Sequence, residues 1–253
     1  FTGTINVANL SISDLTGIEA FTLLTQLNCS GNALTSLNLS SNTLLTNLDV
    51  TTNQLTSLDV SNNVALVQLR CGTNQLTSLI VSANTALTEL FCHGNQLTAL
   101  DISANTALTS LFCEINQLTS LDVSTNTALQ YVDCYNNQIT SLDFSASTAL
   151  YFLNCNTNQL TTLNVKNGNN NNFTGLLALN NPALTCIQVD NVAYSNTNWS
   201  AGKDATAAFA LNCPLVPASA LNIDNVDDNI STPYFARPNN LTIQVWVKKD
   251  NDT

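Results

Sequence analysis

Apolar residues recur along this chain with a fixed step of 21 residues. Leu24, Leu45, Leu66, Leu87, Leu108, Leu129 and Leu150 form one such column, and Leu34, Leu55, Leu76, Leu97, Leu118, Ile139 and Leu160 form a second. A polar column keeps the same register: Asn32, Asn53, Asn74, Asn95, Asn116, Asn137 and Asn158. Within each turn a short L-x-L pattern occurs twice, as in Leu24-Thr-Gln-Leu27-Asn-Cys29 and Leu34-Thr-Ser-Leu37-Asn-Leu39. Such alternation sends apolar side chains to one side of a strand and the polar ones between them to water. Two strands fill a turn and leave no room for a helix. The pattern therefore predicts a mainly β solenoid with little or no helix in its repeats. Its two parallel sheets would lie back to back over a leucine core, with rungs about 4.8 Å apart. The Asn32–Asn158 column is expected to point inward at the turn, satisfying backbone groups of adjacent rungs.

With the residues that follow, the two half-turns read L-x-x-L-x-C-x-x-N, ending at Asn32, and L-x-x-L-x-L-x-x-N, ending at Asn42. Over roughly residues 12–165 they resemble leucine-rich repeats, and the nested 10+11 spacing is similar to the bacterial 21-residue class of that family. The resemblance implies a bacterial surface protein of the kind that Bacteroidetes export by the type IX route. On this reading residues 1–165 are the solenoid and 166–214 an irregular C-terminal cap carrying Trp199. Residues 215–253 are a tail. In the tail, Arg237-Pro238-Asn-Asn-Leu241-Thr-Ile243 resembles the start of a type IX sorting domain, a short trailing strand being the alternative. At the other end Ile5, Val7, Leu10 and Ile12 read as an earlier strand. The start at Phe1, without Met or a signal peptide, reads as a mature or trimmed product with upstream residues removed.

Composition narrows the function. Charged residues make up 9% of the chain and the net charge is −11. Up to Val165 a single base, Arg70, faces ten carboxylates. Such a surface repels phosphate backbones and anionic lipid, which disfavours nucleic-acid and membrane-surface roles. No apolar run approaches the roughly 18 residues of a membrane span, so no membrane insertion is expected. Cys29, Cys71, Cys92, Cys113, Cys134 and Cys155 share one slot with Val50, as small buried hydrophobes do, and six free buried thiols are expected there. Cys186 and Cys213 lie off that column and are expected to form a disulfide, in keeping with a secreted or cell-surface location, a Gram-negative bacterium on the family resemblance.

No catalytic constellation can be assembled around the single histidine, His93, and no nucleotide, hydrolase or zinc-protease motif occurs. A non-enzymatic binding module is the expectation, with no cofactor and no metal. Its two faces differ. Outward slots of the second strand hardly vary, and Thr35, Thr56, Thr77, Thr98, Thr119, Thr140 and Thr161 form a regular row. That row makes ice binding an alternative. The Asp59, Asp101, Asp122 and Asp143 column beside it could take calcium or stay solvated. On the first strand the outward slots hold Arg70, Glu89, Phe91, His93, Phe112, Glu114, Tyr131, Tyr135, Tyr151 and Phe152. Exposed aromatics at this density mark a recognition site for an extracellular protein or polysaccharide. Alternatively, Phe91 above Phe112 and Tyr131 above Phe152 would simply stabilise the sheet.

Overall fold

The structure, a computed structural model, describes residues 3–213; the tail at 215–253 and its sorting-domain resemblance lie outside the described residues. In chain order the strands begin with β1 (Gly3–Asn6), β2 (Leu24–Asn28), β3 (Asn47–Asp49), β4 (Gln68–Arg70), β5 (Glu89–Phe91) and β6 (Ser110–Phe112). They continue with β7 (Tyr131–Asp133), β8 (Ser141–Asp143), β9 (Phe152–Asn154), β10 (Thr162–Asn164), β11 (Gly175–Leu177) and β12 (Cys186–Gln188). A seven-residue helix, α1 (Val192–Asn198), and β13 (Ala208–Ala210) follow. Nine strands pair in parallel in the order β1-β2-β3-β4-β5-β6-β7-β9-β11, and four more in the order β13-β12-β10-β8. The chain is a parallel β-solenoid, and its 21-residue step is the register itself: Leu48 pairs with Leu69, Leu69 with Leu90, Leu90 with Leu111.

One continuous core of leucine, valine and cysteine runs between the sheets. The leucines behind the nine-stranded sheet are 0–1% exposed from Leu27 to Leu111. The second side departs from the expected strand in every turn. It becomes a sheet only from Ser141 onward, and the equivalent stretches of earlier turns form no strand. Burial follows the pairing. Leu58, Leu79, Leu100 and Leu121 are 6–8% exposed, whereas Leu142 and Leu163, on paired rungs, are 2% exposed. That side keeps a backbone bond between successive turns, as from Gln54 N to Leu34 O and from Gln75 N to Leu55 O, but only from Ser141 does the bonding extend into a strand ladder.

Both sheets continue past Val165, with β11 pairing to β9 and β12 to β10. Trp199 is buried there, its indole N–H donating to Phe173 O at 3.1 Å and its ring packed on Phe173, Tyr194 and Phe209. The sulfurs of Cys186 and Cys213 are bonded across 27 residues, joining β12 to the chain just after β13. At the amino-terminal end the strand is shorter than the apolar pattern predicts. Asn9 and Ser11 take positive φ values of 58° and 57°, which turn the chain and leave Leu10 61% exposed.

The asparagine column points inward, as expected. Asn53 Nδ2 donates to Cys29 O and Val50 O at 3.0 Å, while its Oδ1 accepts from Leu34 N at 3.0 Å. Asn74, Asn95, Asn116, Asn137 and Asn158 repeat the arrangement. A second column, Asn42, Asn63, Asn84, Asn105 and Asn126, does related work at the opposite turn, each amide donating to two carbonyls of the preceding rungs. Ser147 interrupts that column, and Asn167 donates to its carbonyl from outside the register.

Six cysteines are free and buried in the first column of rungs. Burial pushes the Cys71 thiol up to about 12, with the Asp49 carboxylate adding to the shift, and carries Cys92, Cys113 and Cys134 well above the ordinary thiol value. Thiolate, not thiol, is the nucleophile. A maleimide at about pH 8 is therefore expected to label none of these six in the folded chain and all six in denaturant. Stoichiometric labelling of the native protein would contradict the burial.

Candidate functional site

The outward face of the nine-stranded sheet is built from three parallel columns. Strand register sets a central one of Asp49, Arg70, Phe91, Phe112 and Asp133. Flanking it on one side are Gln68, Glu89, Ser110, Tyr131 and Phe152. On the other flank, two residues further along each rung, lie Gly72, His93, Glu114 and Tyr135. All ten candidate residues lie on this face or its border, and several are brought into contact.

Phe91 and Phe112 stack with ring centroids 4.6 Å apart and planes 4° from parallel. The Arg70 guanidinium carbon lies 4.7 Å from the Phe91 centroid, so a cation and two rings form one three-layer stack. Glu89 steadies the cation, with its Oε2 3.7 Å from Arg70 Nη2, and accepts a short hydrogen bond from the Gln68 amide. A depression of about 330 Å³ opens on the amino-terminal side of this stack, bounded by Asp49, Thr51, Arg70, Phe91 and His93.

The remaining aromatics are arranged differently from the stack that sequence suggested. Tyr131 and Phe152 are register partners, but the ring that meets Tyr131 is Tyr151, at 5.3 Å and tilted by 54°. Phe152 leans instead over Gly175, where a Cβ would come within 2.7 Å of its ring. Glycine on the next rung thus gives Phe152 a place to lie flat. Gly72 does the same for His93, whose ring occupies the space a Cβ there would need. Tyr131 and Tyr151 are 40% and 42% exposed.

His93 Nδ1 is 3.9 Å from Glu114 Oε1. Burial lowers the His93 pKa, opposed by the Asp133 carboxylate. Burial also pushes Glu114 up to about 7 and raises Asp133. Glu114 Oε2 and His93 Nδ1 are both buried without a hydrogen-bond partner. Asp133 belongs to this cluster although the sequence reading passed over it. It occupies the same slot of the 21-residue step as Arg70, Phe91 and Phe112, and stepping along that slot would have found it.

On the opposite side the threonines from Thr35 to Thr161 are all exposed. Only Thr140 and Thr161 border paired strands there, and the earlier turns are tied to one another by a backbone bond beside each threonine, as from Gln54 N to Leu34 O. Of the aspartates beside it, Asp59, Asp101 and Asp122 each accept a backbone N–H at 2.9 Å from the serine two residues on, and the hydroxyl and backbone N–H of that serine together hold their carboxyls below the ordinary range. Among the described residues no three His, Cys, Asp or Glu side chains are placed to hold a metal ion, and no helix is long and apolar enough to cross a membrane.

No protein-family model and no curated protein matches the sequence. Solved structures do. An internalin (inlF) of Listeria monocytogenes is similar at 21% identity and a TM-score of 0.57, over 83% of this chain and 67% of that one. A leucine-rich-repeat protein of Leptospira interrogans is similar at 19% identity and a TM-score of 0.58, over 78% of this chain and 57% of its own. The APL1 leucine-rich repeat domain is similar at 18% identity and a TM-score of 0.54, over 78% and 65%. The chain thus spans between 57% and 67% of the length of these structures. Likeness at this level of identity is likeness of fold, and the fold of this chain is the leucine-rich-repeat solenoid.

Proposed function

We propose that the chain is a non-enzymatic recognition module, secreted or displayed on a bacterial surface, that binds a protein on the outward face of its nine-stranded sheet. The observation that carries this reading is the Arg70–Phe91–Phe112 stack beside the exposed Tyr131–Tyr151 pair. Aromatic and arginine side chains on a rigid sheet supply contact area at little cost in conformational freedom. A protein suits the face better than a polysaccharide does. Sugars pack on ring faces, and here the Phe91 ring is covered on both sides, by Arg70 and by Phe112. The Cys186–Cys213 disulfide favours an oxidising compartment, and export by the type IX route would follow from the resemblance in the tail. The scarcity of bases keeps nucleic acid and anionic membrane off the list of partners.

Replacing Phe91, Phe112, Tyr131 and Tyr151 together by serine tests the reading. These side chains lie outside the core, so the circular dichroism of the sheet should be kept. Affinity for a partner found on a protein array should fall by at least about a hundredfold. Binding that survives places the site elsewhere. Hits confined to a glycan array, lost in the same variant, would replace protein by polysaccharide.

A further inference from the structure

On the outward face of the nine-stranded sheet, polar side chains of neighbouring rungs meet where they can. The Asn47 amide donates to Gln68 at 3.3 Å, and the Asn154 amide donates to Asp133 at 3.2 Å. Asp49 and Arg70 are register partners of opposite charge, yet among the described residues the ion pairs are Arg70–Glu89 and His93–Glu114, and none joins these two. Arg70 leans the other way, onto the Phe91 ring and beside Glu89. Both unpaired partners line the depression of about 330 Å³, together with Thr51, Phe91 and His93. The guanidinium there is fixed in place but not consumed. Its nearest carboxylate oxygen, Glu89 Oε2, is 3.7 Å away, beyond hydrogen-bonding distance. Its Nε is buried without a partner, while the side chain as a whole is 42% exposed, so its outer N–H groups are open to solvent. Asp49 is also only half used: its Oδ1 accepts the Thr51 N–H at 3.0 Å, and no base neutralises its charge.

We propose that this depression is a binding site for a free α-amino acid, held as a zwitterion with its carboxylate on Arg70 and its ammonium on Asp49. The site goes beyond the protein-binding reading and stands or falls without it. A guanidinium already laid on a ring presents its fork of N–H groups to a carboxylate with little further loss of freedom. Guests of a single charge suit the place less well. An anion drawn to Arg70 would meet Asp49 and Glu89, and a cation drawn to Asp49 would meet Arg70. A guest carrying both signs satisfies both walls. Size points the same way. A volume of about 330 Å³ lies at the small end of ligand pockets, which run from roughly 300 to 1,000 Å³, and so fits a guest of few atoms.

Because His93 is the only histidine and borders the depression, its ring resonances report on the site without assignment of the rest. The probes, titrated into the full chain at neutral pH, are L-leucine, N-acetyl-L-leucine, which lacks the cation, and L-leucine amide, which lacks the anion. Leucine should shift the His93 signals saturably, with a Kd of about 1 mM or tighter, and each blocked form should bind at least about tenfold more weakly. Each wall is then tested by its own variant. Asp49→Asn should erase the preference over N-acetyl-leucine, and Arg70→Gln the preference over leucine amide. Both side chains lie on the sheet surface, so the circular dichroism should be kept in either variant. Asp122→Asn, on the opposite side, should leave leucine binding and both preferences unchanged. A shift that never saturates, a blocked form that binds as well as leucine, or a preference that survives its matching variant overturns the site.

Discussion

Replacing Asn95 by alanine is expected to cost the folded chain about 3–6 kcal/mol, from several lost buried hydrogen bonds at about 1–3 kcal/mol for each group left unpaired. The amide of Asn95 donates to Cys71 O at 3.1 Å and Cys92 O at 3.0 Å, and its Oδ1 accepts from Leu76 N at 3.0 Å. One side chain therefore ties two consecutive turns, and the groups it would abandon are buried. In a solenoid, stability is a sum of terms between neighbouring turns, so a fault at the middle weakens the coupling of both halves. Urea unfolding followed by circular dichroism reads the loss, and a change below about 1 kcal/mol would rule out this account of the column. Asn95→Asp isolates the donor half, because it keeps an acceptor for Leu76 N and discards both donated bonds. Asn105, in the second column, is the internal comparison. It donates to Val81 O and Asn84 O but its Oδ1 has no partner, so alanine there should cost less than at Asn95.

Cutting the Cys186–Cys213 disulfide should have the next largest effect. Closing a loop of 27 residues removes about 3.5 kcal/mol of conformational freedom from the unfolded chain by the loop-entropy relation. The loss would be local. The bond ties β12 to the chain beyond β13, and these are the last paired strands of the smaller sheet. Reductant, or Cys213→Ser, should therefore open residues 186–213 to protease while the leucine core from Leu24 to Leu163 stays protected. Identical cleavage patterns with and without reductant would show that packing around Trp199 holds this end unaided. The six thiols of the ladder serve as a control, since they should remain unlabelled in both cases.

The repeat was legible because each column has one job. Leucine at the 24, 45 and 66 step is always core, and asparagine at the 32, 53 and 74 step always bridges rungs. The second side was not legible, and three identical triplets show why. Ser57-Leu-Asp59, Ser120-Leu-Asp122 and Ser141-Leu-Asp143 share one sequence, yet only the last forms a strand. Local propensity cannot separate them. What differs is the neighbour: Ser141–Asp143 pairs with Thr162–Asn164, and the earlier triplets have no such partner strand. On the outward face of the nine-stranded sheet the aromatic columns could be read, because the step of 21 fixes which residues are neighbours. Ring contacts could not, because they depend on where a side chain finds room. Gly175 and Gly72 decide where Phe152 and His93 lie, and neither carries any chemistry that would draw attention in a sequence. Asp133 follows Arg70, Phe91 and Phe112 in one slot of the repeat, where a lone carboxylate is less conspicuous than the rings before it.

The uneven second side gives this coil a graded compliance. From Leu34 to Val123 successive turns share a strand ladder along one edge and only single backbone and asparagine bonds along the other, and from Ser141 onward they share a ladder along both. Flexing the first region strains fewer hydrogen bonds in each turn than flexing the second, where a strand ladder runs on both sides. Arg70, Phe91 and Phe112 ride on the pliant part, and Tyr151 and Phe152 on the braced part. A partner gripping this surface would thus meet a fixed anchor at one end and, at the other, a row of side chains whose curvature adjusts to the shape it brings.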